Sequence, residues 1–296
     1  MKLNVMDKTL KWSIYFILLV LAFVTFYPFW NSLVISFNVG SDTTNGGITF
    51  WPRSFTFENY KVVFKEKSLL NAYLITISRT ALGTALSMFF TAMFAYGLSK
   101  KGIVFKKFYM IICIITLYFS GGLIPYFILI HQMHLYNTYW FLIIHGMVNV
   151  YNVIIFRTFF MELPEGLEEA ARIDGTSNFG VFFRIVLPIS GPVLATLGLF
   201  TAVTLWNDWF FPAVFINNQK LIPMQTIMIQ IINQGSAESF IQNMGSVAAQ
   251  SVVRKTATIK SIQMATMMVA TLPILLIYPF VQRFFVKGAL VGSMKE

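Results

Sequence analysis

Two charged side chains lie inside long apolar stretches of the sequence. Arg79 is the only Asp, Glu, Lys or Arg in residues 72–98, and Asp208 is the only one in residues 185–218. A charge near the middle of a bilayer costs about 2.5–3.5 kcal/mol even on the mildest scales, so each side chain needs a partner or a polar pathway. The sequence leaves both interpretations open: a buried ion pair, or side chains that line a path.

Amide and indole side chains form a second set, which is suited to binding carbohydrate. Sugars present hydroxyl groups and apolar C–H faces, and amides and flat aromatic rings complement these surfaces. Asn149 and Asn152 are three residues apart and share a helix face. The remaining members of the set are Trp206, Asn207 and Trp209. Hydrogen bonding between helices is the alternative role for these side chains.

Three histidines, His131, His134 and His145, raise the question of a metal site. No Cys, Asp or Glu adjoins His131 and His134 to complete a ligand shell, so we expect interfacial hydrogen bonding and no metal. The sequence has no phosphate-binding G-x-x-x-x-G-K-[ST] loop, no G-x-S-x-G and no H-E-x-x-H. We therefore predict no catalytic residue and no cofactor in this chain.

The composition indicates an integral membrane protein. The 296 residues are 56% hydrophobic and only 11% charged, whereas soluble domains are about 25% charged. The net charge of +10 could indicate nucleic acid, but the positions of the basic residues favour membrane orientation instead.

Six apolar stretches are long enough to cross a bilayer, since about 20 helical residues are needed. We predict an all-α integral membrane protein with six transmembrane helices in a domain at 12–286. Residues 1–11 and 287–296 are expected to be a cytoplasmic N-terminus and tail. The expected spans are about 12–37, 72–98, 108–130, 135–158, 187–216 and 261–283.

Basic residues are concentrated in short segments that an even number of spans places on one side. They precede the first span, occupy 100–107, recur between the fourth and fifth spans, and follow the sixth. By the positive-inside rule both termini are cytoplasmic, and so is the charged loop at 162–188.

This loop reads as helix, turn, helix. Pro164 and Glu165 are typical of a first helical turn, and Gly175 favours a left-handed C-terminal cap. Thr176, Ser177 and Asn178 offer oxygens for a second N-cap. Composition alone allows a solvated amphipathic connector.

The order of residues in the loop is more specific than its composition. Glu169-Ala170-Ala171 is followed after three residues by Gly175 and after nine more by Ile185-x-Leu187-Pro188. This pattern resembles the EAA loop of ABC importer permeases. Further stretches resemble the carbohydrate-uptake (maltose-type, oligosaccharide) families: TFWPRSFTFENYKVVF, FSGGLIPYFILI, WNDWFFP and PFVQRFFVKGALVGSMK. In WNDWFFP, Trp209 replaces the Phe usual in sugar permeases.

The resemblance implies a type I ABC importer permease fold and a transmembrane subunit that forms half of the pathway for an oligosaccharide. It implies a bacterial cell membrane, a second homologous permease, a solute-binding protein outside, and a cytoplasmic ATPase dimer that binds the ATP. It assigns ATPase coupling to Glu168, Glu169, Ala170, Ala171, Asp174, Gly175, Ile185 and Pro188. The candidates for the substrate path are Arg79, Asn149, Asn152, Trp206, Asn207, Asp208 and Trp209.

Other functions stay open at this point. An ABC permease for an amino acid or phosphate would share the loop. A stand-alone secondary transporter would use Arg79 and Asp208 for ion coupling, although no inverted repeat is evident. An enzyme built on the histidines lacks a third ligand and a nucleophile motif. Uptake with and without ATP depletion separates these classes.

Overall fold

The computed structural model describes residues 5–65, 67–233, 258, 260–273 and 275–276. Within these ranges the regular structure is helical, apart from one isolated β-bridge between Asn38 and Phe55. This agrees with the predicted all-α class. The predicted tail at 287–296 and the PFVQRFFVKGALVGSMK stretch lie outside the described residues.

The helices are numbered in chain order. They are α1 (Val5–Ser36), α2 (Gly40–Thr43), α3 (Glu58–Lys65), α4 (Lys67–Ser99), α5 (Lys106–Tyr118), α6 (Leu123–Gln132), α7 (Tyr139–Ile144), α8 (Val150–Met161), α9 (Glu165–Ile173), α10 (Asn178–Val181), α11 (Leu187–Ile189), α12 (Gly191–Asn207), α13 (Phe210–Phe215) and α14 (Met224–Asn233). A π-helical segment, Phe182–Val186, joins α10 to α11, and a 3-10 turn covers Gln219–Leu221. A further helix occupies 260–273.

The chain divides into two compact units. One takes the described residues within Met1–Leu70 and Met228–Pro273, and the other those within Asn71–Ile227 and Ile274–Glu296. In the first unit, Asn59 Nδ2 donates to the carbonyls of Ser36 (2.8 Å) and Asn38 (2.9 Å), and Ser261 Oγ donates to Asn59 Oδ1 (2.9 Å). These bonds fix the loop after α1, where backbone groups would otherwise be unpaired.

Within the part of the chain that the structure describes, two helices are long and apolar enough to cross a membrane unbroken: Leu10–Ser36 within α1, and α4. Two further candidates are bent pairs. α5 and α6 meet at 116°, and Asn178–Ile189 meets α12 at 81°. The segments expected as spans at 108–130, 135–158 and 187–216 are therefore not single helices. The six span bounds remain predictions.

At these interruptions the backbone leaves the helical conformation, and some backbone N–H groups bond to side chains instead of to the preceding helical turn. Gly122 adopts a φ of 86° between α5 and α6, a conformation that glycine tolerates best. Thr138 and Asn149 accept hydrogen bonds from Phe141 N and Asn152 N, which caps α7 and α8.

The core of the second unit lies where α4, α8 and α12 pack together. Ala92, Val153, Phe156 and Leu197 are buried in one cluster there. Small residues let the helices approach closely, as expected for helices in membranes. A Cβ atom at Gly83 of α4 would lie 2.9 Å from Leu205 Cδ1 of α12. The absence of a side chain at Gly83 therefore permits the close approach of α4 and α12.

This contact gives the first testable prediction. Replacing Gly83 with Leu overpacks the α4–α12 contact and should cost about 1–3 kcal/mol of stability. Gly97→Leu is the matched control, because Gly97 lies on the same helix with nothing within 4 Å of an added Cβ atom. Thermal unfolding of the purified protein in detergent measures both variants. Equal melting temperatures would show that the contact is not tight.

Candidate functional site

A hairpin formed by α9, a glycine turn, α10, the π-helical segment and α11 extends from Glu165 to Ile189. Gly175 has a φ of 79°, the left-handed cap that the sequence predicted. Ser177 is the predicted N-cap, since its Oγ accepts from Gly180 N at 3.2 Å. Pro164 lies at the N-cap of α9 and not in its first turn, a small shift from the expectation.

The inner face of this hairpin packs on the ends of α4 and α8. Ala171 is buried in the same cluster as Tyr96, Phe160 and Phe182. The Tyr96 ring lies 5.9 Å from the Phe160 ring and 5.1 Å from the Phe182 ring, centroid to centroid. Ala171 was expected to contact an ATPase, but its side chain is enclosed by this chain.

The outer face of the hairpin is exposed. Glu169, Ala170, Asp174 and Gly175, four of the residues expected to couple, lie on it. Five large apolar side chains that were not among the predicted coupling residues are also exposed in this hairpin: Leu167, Ile173 (86% exposed), Phe179, Phe183 and Ile189. Apolar side chains at exposed positions are the signal that could have identified them as part of an interaction surface.

The three other coupling candidates differ from one another in position. Glu168 points inward and forms a salt bridge with Lys100. Ile185 is half-buried against the α4–α8–α12 core, and Pro188 is exposed in α11.

A cavity of about 360 Å³ lies between the α7–α8 connection and the C-terminal half of α12. This size is within the range of small-molecule sites. Three path candidates from the sequence line it: Asn149, Asn152 and Asp208. The other lining residues are His145, Gly146, Tyr151, Phe200, Thr201, Thr204, Leu205 and Phe211.

The polar groups of the cavity are linked to one another. Asn152 Nδ2 donates to Thr201 Oγ1 at 3.2 Å, and Asn149 Oδ1 accepts from Asn152 N at 3.2 Å. Thr201, Thr204 and Asp208 recur at helical spacing along α12 and so reach the same cavity. That spacing could have been read from the sequence.

Asp208 is held at the cavity by Arg79. The guanidinium Nη2 lies 3.5 Å from Asp208 Oδ2 and donates to the backbone carbonyls of Asp208 (2.8 Å) and Leu205. Arg79 is 1% exposed and is not among the residues that line the cavity. It therefore neutralises the carboxylate and binds the carbonyl groups that end α12. Of the two interpretations left open for these charges, the ion pair is present.

The remaining path candidates are absent from the cavity lining. Trp206 is buried, with its ring 6.0 Å from that of Tyr73. Asn207 is exposed, and the Trp209 carbonyl accepts from Thr226 Oγ1 at 3.1 Å. Residues that are adjacent in sequence at the end of a helix point in different directions, so the WNDWFFP motif cannot supply a whole wall of the cavity.

Two of the three histidines, His131 and His145, take part in aromatic contacts. His145 Nδ1 is 2.8 Å from Tyr126 Oη, and its ring lies 3.8 Å from that of Phe211. His131 stacks on Tyr136 at 4.7 Å. Among the described residues no group of three or more His, Cys, Asp or Glu could hold a metal ion.

Comparison with known proteins identifies the class. Residues 93–291 match the family described as the binding-protein-dependent transport system inner membrane component. The chain belongs to this family, the permease subunits of ABC transporters, and is a membrane component.

Relatives and a solved structure cover almost the entire chain. A permease of the polygalacturonan/rhamnogalacturonan transport system of Bacillus subtilis, YtcP, is 36% identical over 95% of this chain and 96% of its own. Protein LplC of the same organism is 36% identical over 92% and 90%. A chain of a bacterial ABC transporter that imports the acidic polysaccharide alginate matches with a TM-score of 0.88 and 25% identity, over 96% of this chain and 99% of that one. The type I ABC importer permease fold predicted from the sequence is confirmed.

The buried ion pair gives the second prediction. Arg79→Met leaves the Asp208 carboxylate without its partner and should destabilise the protein by about 3–5 kcal/mol. Adding Asp208→Asn removes the uncompensated charge and should recover part of that loss. Melting temperatures of the two single variants and the double variant measure the coupling. Strictly additive losses would mean that the pair does not interact.

Proposed function

We propose that this chain is the permease subunit of an ATP-driven importer and forms half of the translocation pathway for an oligosaccharide. One observation carries the proposal. A single stretch of chain, Glu165–Asn207, runs from an exposed hairpin surface to the wall of a polar cavity. The family of the chain and the polysaccharide transport named for YtcP and for the alginate importer support the substrate class.

The outer face of the hairpin is the proposed contact for a cytoplasmic ATPase dimer. Glu169 and Asp174 supply charge, Ala170 allows close approach, and Ile173 offers exposed apolar surface of the kind that a partner buries. The ATP is bound by that partner, and this chain contributes no cofactor site and no catalysis. Both termini and the hairpin are then cytoplasmic, as the positive-inside rule predicts.

The cavity is the proposed contribution of this chain to the sugar path. Amide, hydroxyl and carboxylate groups from Asn149, Asn152, Thr201 and Asp208 match the donors and acceptors of sugar hydroxyls. Tyr151 and Phe211 add aromatic surface for C–H faces. A second, homologous permease completes the path, and a solute-binding protein delivers the substrate from outside.

The connection between hairpin and cavity provides the mechanical route. The π-helical segment Phe182–Val186 lies between them, and such segments are frequent at functional sites in helices. Ser190 follows, buried, with its Oγ donating to the Val186 carbonyl at 2.6 Å, where α11 turns by 81° into α12. A displacement of α9 by the ATPase is thereby passed to the residues of α12 that line the cavity.

Two alternatives make different demands. A stand-alone secondary transporter would need a carboxylate available for ion coupling, whereas Asp208 is already paired with Arg79. A permease for an amino acid or phosphate would share the hairpin but needs a charged recognition site. Two results would support our proposal. Uptake should stop when ATP is depleted, and a labelled oligosaccharide should compete with the substrate for uptake.

The third prediction tests the docking surface. Ile173→Ser removes an exposed apolar anchor, which is worth about 2 kcal/mol or more when it fills a partner pocket. We expect substrate-stimulated ATP hydrolysis to fall about tenfold or more in the assembled transporter, while the chain stays in the membrane. Val104→Ser is the control, because Val104 is 72% exposed in the α4–α5 loop, outside the hairpin. Unchanged stimulation in Ile173→Ser would reject this surface.

The fourth prediction tests the cavity. Thr201→Val removes a hydroxyl that lines it and accepts from Asn152, at a cost of about 0.5–1.5 kcal/mol per lost hydrogen bond. The substrate concentration for half-maximal uptake should rise by roughly 2–10-fold. Thr196→Val, on the same helix, removes a hydroxyl that donates within α12, to the Pro192 carbonyl, and does not line the cavity as the structure describes it. Equal effects of the two variants would place the substrate path elsewhere.

A further inference from the structure

We infer that the Lys100–Glu168 ion pair is a tether that fastens the end of α4 to α9, so that movement of the hairpin also moves α4. The inference rests on the proposed function, because it needs an ATPase that displaces α9. It changes the role of Glu168 from a docking contact to a positioning residue within this chain.

The pair joins two elements that are far apart in sequence. Lys100 directly follows α4, and its Nζ contacts both carboxylate oxygens of Glu168 on α9. The side chains are 25% and 15% exposed, so water screens the pair less than it would on an open surface. Lys100 Nζ also lies 3.8 Å from the centroid of the Tyr96 ring, within cation–π range.

The end of α4 is held firmly at this point. Lys106 Nζ donates to the carbonyls of Lys100 (2.9 Å) and Ser99 (3.4 Å), and Arg157 Nε donates to the Leu98 carbonyl (3.3 Å). Cations favour the negative end of a helix dipole, and these cations also pair with carbonyl groups that lack a helical partner. Lys100 therefore extends from a fixed anchor.

The two faces of α9 have different roles: one attaches α9 to the rest of this chain, and the other is the proposed contact for the ATPase. Glu168 and Ala171 face the bundle, and the half-exposed Arg172 lies beside them with its Nη2 3.9 Å from Glu168 Oε2. Glu169 and Ile173 face outward, four residues apart. The contact at Ala171 is held by apolar burial, which is not a directional interaction. The ion pair adds a directional bond on the same face.

The tether supplies a second route from the hairpin to the cavity. α4 carries Arg79, which binds Asp208 and the Leu205 carbonyl, and Gly83, which contacts Leu205. Both Leu205 and Asp208 line the cavity. Movement of α12 alone would shift one wall of the cavity. Movement of α4 also shifts the Arg79 guanidinium, which positions Asp208.

Charge reversal tests the tether in the assembled transporter. Lys100→Glu and Glu168→Lys each replace attraction by repulsion, and the double variant Lys100→Glu/Glu168→Lys restores an opposite pair. We expect transport per ATP hydrolysed to fall about tenfold in each single variant and to recover most of that loss in the double variant. Lys107→Glu is the matched control, since Lys107 is exposed in the same basic segment.

Three results separate the tether from the proposed function. An ATPase that fails to co-purify with the unmodified chain, or transport that continues without ATP, contradicts the proposed function itself. With both intact, single variants that transport like Lys107→Glu overturn the tether. A double variant no better than either single variant, at equal membrane levels, also overturns it.

A covalent bridge covers the case in which charge reversal prevents assembly. Lys100→Cys/Glu168→Cys can be linked by a short bifunctional thiol reagent, and the one cysteine in the sequence, Cys113, is buried. The unlinked double variant should transport poorly per ATP, and linking should restore transport. If linking leaves transport unchanged or lowers it, α4 and α9 do not need to move together.

Discussion

The burial of Ala171 in one cluster with Tyr96, Phe160 and Phe182 is the packing on which the account depends. A methyl group at this position lets the backbone of α9 come close to the ends of α4 and α8, and a larger side chain would hold it away. The contact buries one face of a nine-residue helix and leaves its opposite face exposed. A charged helix of this length would be marginal alone in water, so this packing gives it a fixed orientation.

The same unit shows how an apolar bundle accommodates broken helices. A chain interruption inside an apolar environment leaves carbonyl and amide groups that must find partners within the protein. At the end of α12 these partners are the guanidinium of Arg79 and, for the start of α13, the Asp208 carboxylate, which accepts from Phe211 N at 3.2 Å. One ion pair thus stabilises a break in the helix and presents a carboxylate oxygen to the cavity.

The sequence predicted well those features that depend on local chemistry. Gly175 and Ser177 have the backbone conformations that their residue types favour. The loop pattern around Glu169 indicated the family correctly. Periodicity could not show that Glu168 faces inward, because this depends on Lys100, 68 residues away.

The cavity was only partly predictable for a similar reason. Asn149, Asn152 and Asp208 line the cavity, but Trp206, Asn207 and Trp209, which the sequence predicted for the path from their amide and aromatic chemistry, do not. The break after Asn207 turns neighbouring side chains apart. Pro212 is a local signal for a break, because it has no N–H to bind the Asp208 carbonyl, but the direction that each side chain takes depends on packing. The π-helical segment is likewise set by packing, since Phe182 and Val186 are both buried in the core.

The most direct test of the central claim is a pair of structures of the assembled transporter, one without nucleotide and one with a non-hydrolysable ATP analogue. We predict that Ile173 is enclosed by the ATPase in both, and that α9 and the Lys100 end of α4 keep one mutual geometry while the cavity at Asp208 changes shape. A hairpin that contacts no ATPase, or an α9 that shifts relative to α4 while the cavity stays unchanged, would contradict the account.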